Sequence, residues 1–433
     1  MTTNHLAVLQ QAYKDLDLFP LLEPEQIDKF RVNYGREVLV RLRYEVNASV
    51  KQQKFVFAGH RGCGKSTLLK QFAVEMQAQH FVVFFSIADL IEPAAVTHRN
   101  ILYAIALQLL RAATQKRIPI AADIQDSLLG WMDTTHKINE GITAKTAIEL
   151  GLDKLLQLAT LKFQQEQSFR EEFEKTFEKK VADLVSKADR IAAAIETTIK
   201  KPVLVVIDDL DKLDLSLVES IYRNNIKVLF SPGFRIVFTI PISAVQEPQV
   251  MGTLNSAGIT RPQLFPVAKF FAKEHCRTQK EETAIAATVE TFLTVLTKRI
   301  PSEYMEPHIA RKIVFKSGGV MRELVRIARE CCTECMVQLE IDPDRHELKI
   351  DEQILATALR NLRNDFARQI GTHLFPTLIQ VYTTLNNQDT DTEAFVALLH
   401  GLMVLEYQND DLWYNVHPIV VDLLHQKNLI TDA

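Results

Sequence analysis

Residues 59 to 66 read GHRGCGKS and fit G-x-x-x-x-G-K-[ST] at every fixed position, with Gly59, Gly64, Lys65 and Ser66. Glycines let the backbone curl so that its N–H groups face phosphate oxygens. A following helix would present its positive N-terminal end to the same anion. Lys65 is expected to reach the β- and γ-phosphates and the Ser66 hydroxyl to ligate Mg²⁺. His60, Arg61, Gly62 and Cys63 fill the variable positions and shape the mouth of the loop, and Thr67 continues it. Cys63 reads as a tolerated small side chain rather than a redox group.

A metal-bound nucleotide also needs an acidic partner. VLVVIDDLD supplies one: an apolar run ends in Asp208, with Asp209 directly after it. Asp208 is placed to hold Mg²⁺, and Asp209 to orient or deprotonate the attacking water. Asp211 reads better as a turn or helix cap.

Several elements must position these groups. Strand-like apolar runs occur at 54–59, 80–87, 203–208, 234–240 and 263–267. Continuous β-branched and aromatic runs suit strands buried on both faces of a parallel sheet. Helical stretches between them predict βαβ units, hence an α/β fold with an αβα sandwich. The P-loop lies where it should, after the first strand and before the helical STLLKQFAVEMQ.

The connection between the second and third strands is unusually long and carries no strand-like run. From 154 to 201 apolar residues recur every three or four positions, through Phe169, Phe173, Leu184, Ile191 and Ile195, predicting one long amphipathic helix. Such a helix either packs on its own domain or serves as an arm for a partner.

The expected organisation is an N-terminal helical arm (1–30), a nucleotide-binding core (31–270) with a helical insertion (about 105–200), a helical lid (271–365) and a winged-helix-like unit (366–433). The last unit follows from a helix, a strand MVLEY, the turn QNDD, a strand LWYNV and a final helix.

Composition bounds the function. The chain has 433 residues, 47% hydrophobic and 24% charged, with a formal net charge of −4. That charge gives no global attraction to nucleic acid or anionic membranes. MTTNHLAVLQQAYKDLDLF has no basic-then-apolar leader, and no run approaches the roughly 20 apolar residues of a membrane span. Five unevenly spaced cysteines fit a reducing compartment, so a cytoplasmic location is expected. Cys331, Cys332 and Cys335 read as buried thiols on one helix, since no second pair offers zinc-site spacing.

The P-loop, IDDLD and the upstream VNYGREVLVRL together resemble AAA+ ATPases of the origin-recognition and STAND type. The resemblance covers about residues 25 to 365. It implies ATP as the nucleotide, with the Phe30–Gly35 stretch, including Tyr34 and Gly35, near the base. FKSGGVMRELVRIARE is similar to the lid's sensor 2 motif, which implies that Arg322 faces the γ-phosphate from the same subunit. In RIVFTIPIS, Thr239 takes the sensor 1 place, with Ser243 as the alternative. Arg261 stands where the family carries an in-trans arginine finger, which implies a homo-oligomer; a surface arginine before a proline turn is the equal alternative. Asp209 departs from the commoner glutamate and is one methylene shorter. With the long insertion, this favours a slow nucleotide-controlled switch over a fast motor.

The terminal unit is acidic. From Asn386 onward Lys427 is the only Lys or Arg, against Asp389, Asp391, Glu393, Glu406, Asp410, Asp411, Asp422 and Asp432. Such a module disfavours DNA as its ligand; any DNA contact would come from Arg326, Arg329, Arg360 or Arg363. The expected output is control of a separate effector protein. The resemblance suggests a prokaryotic antiphage or conflict complex as the setting. A DNA-dependent initiator or transposition-regulator ATPase and a non-hydrolysing, ATP-bound scaffold are the two rival readings.

Overall fold

The computed structural model describes residues 5–133, 166–178, 180–259, 261–342, 348–388, 390–408 and 411–431. The chain forms two compact units. One comprises Glu37–Ala58 and Leu68–Leu264; the other comprises Met1–Arg36, Gly59–Thr67 and Phe265–Ala433.

The first of these units is built on a five-stranded parallel sheet of β1 (Lys54–Gly59), β2 (Phe81–Ser86), β3 (Val203–Asp208), β4 (Arg235–Pro241) and β5 (Gln263–Phe265), in the order β2-β3-β4-β1-β5. All five predicted strands are present, within two residues of their expected ends. β2 and β3 pair from Phe81↔Val203 to Ser86↔Asp208, and β3 and β4 from Leu204↔Arg235 to Ile207↔Phe238. Every residue of β1 and β3 is buried, as a strand covered on both faces requires. Even Lys54 is buried, and its ammonium donates to the carbonyls of Gln52, Pro232 and Phe234 at 2.6, 2.8 and 2.9 Å. Burial pulls its pKa down to about 8.

The long connection does not form the single helix expected from 154 to 201. Residues 154–165 lie outside the described residues, and the rest divides into Gln167–Glu178 and Val181–Ile199. The break falls at Lys180, whose φ and ψ of −125° and 12° leave the helical region. The apolar stripe is core. Phe173, Leu184, Ala188, Ile191 and Ile195 are buried in one cluster with Val83, Leu110 and Val205. At about 1.5–3 kcal/mol for each large buried side chain, that packing accounts for the stripe without a partner. The helix His98–Gln115 starts with a reciprocal cap between Thr97 and Asn100, and Thr97 and Arg99 both bond the Glu174 carboxylate.

The second unit is mostly helical. Its N-terminal segment forms His5–Asp15 and Pro24–Phe30, with Pro24 at the first helical position. Helices Ala286–Thr297, Pro307–Lys316, Met321–Ile341 and Glu352–Gln369 follow β5. The chain then gives Phe375–Thr384, Thr392–His400, an antiparallel hairpin of β6 (Val404–Gln408) and β7 (Leu412–Val416), and Pro418–Gln426. This is the expected helix, hairpin and helix order, and Tyr407 stacks on Trp413 across the strands at 4.5 Å.

The terminal acidity is only partly surface charge. Glu406 is buried, Asp422 is paired with Lys316, and Asp391 caps Thr392–His400, while Asp389, Asp410 and Asp432 lie outside the described residues. Two of the arginines considered for DNA are engaged within the chain: Arg326 with Glu323 and Asp365, and Arg329 over the Tyr13 ring at 4.1 Å. All five cysteines are free and buried. No described helix is long and apolar enough to cross a membrane.

Candidate nucleotide site

β1 runs directly into the glycine-rich loop. A Cβ at Gly59 would sit 2.6 Å from the Phe265 carbonyl, and Gly62 and Gly64 hold φ of +79° and +102°. Side chains at these positions would be excluded by contact or strained by backbone conformation, so the loop needs glycine at the two fixed positions, 59 and 64, and also at the variable position 62. Lys65 opens the helix Lys65–Met76. It is only 4% exposed, and its ammonium donates to the carbonyls of Gly59 and His60 at 2.8 and 2.6 Å. Cys63 Sγ donates to the His60 carbonyl at 2.9 Å and is inaccessible. Ser66 and Arg61 are half-buried, and Thr67 Oγ1 accepts the Leu21 N–H at 3.1 Å.

Tyr34 and Gly35 belong to the same unit as the loop. The Tyr34 hydroxyl donates to the Pro266 carbonyl, and its ring packs on Phe265 and Phe292 at centroid distances of 5.1 and 5.7 Å. Burial pushes its pKa well above the usual value. Gly35 takes φ +76°.

The structure brings Arg322 to the loop. Gly318 and Gly319, both at positive φ, end Pro307–Lys316 and set the start of Met321–Ile341. Only glycine fits at 319: a Cβ there would lie 1.8 Å from the Ala268 carbonyl oxygen. Two residues into the new helix, the Arg322 N–H donates to the Gly62 carbonyl at 2.9 Å. The main chain of the proposed sensor is therefore bonded to the main chain of the phosphate loop.

His60 makes a contact that sequence reasoning missed. Its Nε2 accepts the backbone N–H of Glu406, on β6, at 2.9 Å. The acceptor role places the ring proton on Nδ1. Burial, and secondarily the Lys65 charge, push the His60 pKa down to about 3. Nearby, the Tyr407 hydroxyl donates to the Gly318 carbonyl at 2.8 Å.

The acidic residues lie in the other unit, at the C-terminal edge of its sheet. Asp208 ends β3 and is buried. Asp209 follows in a left-handed conformation, φ 70°, and its N–H bonds back to Asp208 Oδ1 at 2.8 Å. A non-glycine residue there stores roughly 1 kcal/mol or more of backbone strain. Its carboxylate is held on both oxygens: Ser86 Oγ donates to Oδ2 at 2.6 Å, and the Lys212 ammonium pairs with Oδ1 at 2.5 Å. Burial and the Asp209 charge raise the pKa of nearby Asp89, which Lys212 opposes.

Asp211 lies inside the short turn Leu210–Lys212, buried, with carboxylate oxygens of Asp208, Asp209 and Asp211 all within 4.8 Å of one another. Thr239 is fully buried on β4; its Oγ1 accepts the Leu210 N–H at 2.9 Å and donates to the Ile207 carbonyl at 3.3 Å. The Tyr222 hydroxyl bonds the Thr239 carbonyl. Thr239 thus fixes the turn that carries Asp209, and Ser243 is buried nearby in sequence. Arg261 is exposed on the approach to β5, where its charge and that of Arg41 partly oppose the upward effect of burial on Glu45. Ser86 and Lys212 were legible only as a hydroxyl ending an apolar strand and a basic residue one helical turn past Asp209.

The residues fit the groups the motifs imply. Glycine backbone held for close approach, with a helix N-terminus and a lysine, suits polyphosphate. Clustered carboxylate oxygens suit a hard divalent cation such as Mg²⁺.

No curated protein matches the chain. Among solved structures it is similar to the Orc1 protein of Aeropyrum pernix in complex with DNA, at 12% identity over 94% of this chain and 97% of that one, with a TM-score of 0.39. A Walker-type ATPase of Pyrococcus abyssi gives 13% identity over 95% and 99%, with a TM-score of 0.42. Cdc6p from Pyrobaculum aerophilum gives 11% over 95% and 98%, with a TM-score of 0.39. Residues 42–242, which include both GHRGCGKS and VLVVIDD, match the KAP family P-loop domain.

Proposed function

We propose that the protein is an Mg²⁺-dependent ATP-binding switch that hydrolyses slowly and acts on a separate effector protein. The loop N–H groups and Lys65 bind phosphates, Ser66 and Asp208 hold the metal, and Asp209 orients water. Bound Mg²⁺ supplies charge neutralisation at the phosphates. Thr239 keeps the Asp209 turn in place, and Arg322 carries the state of the loop into the helix Met321–Ile341. Arg261 is the candidate for a contact made by a second copy of the chain.

One observation carries the switch reading: the Arg322 N–H is bonded to the Gly62 carbonyl, so a change in the phosphate loop must move or break a lid contact. The hold of Ser86 and Lys212 on Asp209 supports slow turnover, because both carboxylate oxygens are already engaged. An antiphage or conflict complex is the setting this reading favours, from the sequence resemblance alone. Steady-state ATP hydrolysis, with and without duplex DNA, tests it. The reading expects nucleotide binding with turnover well under several per second per subunit, unchanged by DNA. Faster unassisted turnover, or clear DNA stimulation lost in Lys65→Ala, overturns it.

A further inference from the structure

The P-loop is bonded to the C-terminal hairpin by a side chain the phosphate chemistry does not require. β6 and β7 pair with Glu406 opposite Tyr414. In an antiparallel ladder, paired residues alternate between exchanging hydrogen bonds with each other and pointing their N–H groups outward. Glu406 and Tyr414 are of the outward kind: the Tyr414 N–H goes to the Leu385 carbonyl, and the Glu406 N–H goes to His60 Nε2. Val416, two residues along, follows the same parity and bonds the Asn415 side chain. The hairpin thus has a buried outward-facing N–H on each edge, and each needs a partner. On the β6 edge that partner comes from 346 positions earlier in the chain, in the variable part of the P-loop.

The same stretch is tied down from other sides. Lys65 donates to the His60 carbonyl, the Gly62 carbonyl accepts from Arg322, and Tyr407 on β6 bonds the Gly318 carbonyl. A Cβ on Gly318 would lie 2.7 Å from Leu405 Cδ1 and 2.9 Å from Pro418, so the glycine turn that sets Arg322 is also packed on the hairpin. His60 is 2% exposed, and its Nε2 meets this strand edge.

We infer that His60 is a positioning residue that links nucleotide binding at the P-loop to docking of the C-terminal hairpin. Exposing the Glu406 N–H requires withdrawing His60, which disorders the loop; a ligand that needs the ordered loop therefore opposes that opening. By linkage, a docked hairpin strengthens nucleotide binding by the factor with which nucleotide protects the hairpin. The inference rests on the loop binding nucleotide, the reading given above.

Amide hydrogen exchange on the full chain, with and without MgATP or MgADP at 100 times the measured dissociation constant, tests the link. A ligand that binds only the ordered loop can slow an opening that disorders it by up to about 100-fold at that concentration. In the wild-type protein the Glu406 amide should slow at least tenfold, and the Tyr414 amide on the opposite edge markedly less. In His60→Ala, which keeps the glycines and Lys65, the slowing at Glu406 should fall below about threefold even with nucleotide bound. His60→Gln, whose carbonyl can accept from the same N–H, should restore it. If His60→Ala does not fold, His60→Asn carries the same comparison, because its shorter amide does not reach Glu406. Bound nucleotide that leaves Glu406 exchange unchanged, or slows it equally in the alanine variant, overturns the link while leaving the nucleotide reading intact. A wild-type protein that binds no nucleotide removes both.

Discussion

Gly62 and Gly258 offer a matched pair of substitutions that isolates the bond between the P-loop and Arg322. Both glycines hold positive φ, +79° and +88°, so alanine at either must adopt the left-handed region at roughly 1–2 kcal/mol. Gly258→Ala pays nothing further, since no atom lies within 4 Å of its Cβ position. Gly62→Ala places its Cβ 2.6 Å from Arg322 Cβ and 3.3 Å from Val320 Cγ1. Relief means shifting the first turn of Met321–Ile341, a core distortion of about 1–3 kcal/mol, and stretching the Arg322 N–H bond, about 1 kcal/mol more. The total for Gly62→Ala is about 3–6 kcal/mol against about 1–2 kcal/mol for Gly258→Ala. At roughly 2–4 °C per kcal/mol for a unit of this size, calorimetry should show Gly62→Ala lowering the melting temperature two- to fivefold more than Gly258→Ala. Arg322→Gly removes the clashing Cβ, so the double variant Gly62→Ala/Arg322→Gly should be less destabilised than the sum of its singles. Equal melting shifts for the two glycine variants, or strict additivity in the cycle, would refute a direct contact between the loop and the start of Met321–Ile341.

Other consequences follow from the same contacts. Ser86→Ala removes one of the two holds on Asp209 and should raise steady-state ATP turnover by about tenfold, as release of a charge-assisted hydrogen bond implies; unchanged or lower turnover would show that Ser86 positions Asp209 for catalysis instead. His60 and His417 are buried neutral with pKa values near 3 against an ordinary 6.5, so the unfolded chain binds more protons between those limits. Stability is therefore complete above about pH 6.5 and falls as pH drops below it, by about 2–3 kcal/mol per histidine at pH 4.5. His417→Gln should flatten that acid limb in a pH series of urea unfolding, whereas a limb of unchanged slope would contradict the assignment. Lys54→Met strips three carbonyls of their donor and should lower the unfolding midpoint by an amount equivalent to about 2–4 kcal/mol; a neutral effect would show that the carbonyls find other partners.

What was legible in the sequence follows from the range of the interactions. The five sheet strands could be placed because a strand buried on both faces must be apolar along its whole length, and VLVVID or FRIVFTI admits no other element easily. The P-loop and the Gly318-Gly319 turn were legible because glycine is demanded by local backbone geometry. The break at Lys180 was not, since neither proline nor glycine marks it and the 3.6-residue apolar stripe continues across it. Nor could the state of Asp209 be read from Asp-Asp: its strain depends on Thr239, and its pairing on Ser86 from another strand. The acidity of the terminal unit was visible in composition, but the burial of Glu406 and the pairing of Asp422 with Lys316 required the fold. His60 shows the limit most clearly, because a variable position of a local motif proves to serve a strand edge contributed by the far end of the chain.

Equilibrium titration of a fluorescent ATP analogue with Mg²⁺ reports whether GHRGCGKS is a working phosphate-binding loop. Saturable binding at one site per chain is expected, weakened at least 100-fold in Lys65→Ala and dependent on Mg²⁺ through Asp208, with Gly258→Ala binding normally. Absence of binding to the wild-type chain, or equal affinity in Lys65→Ala, would contradict it.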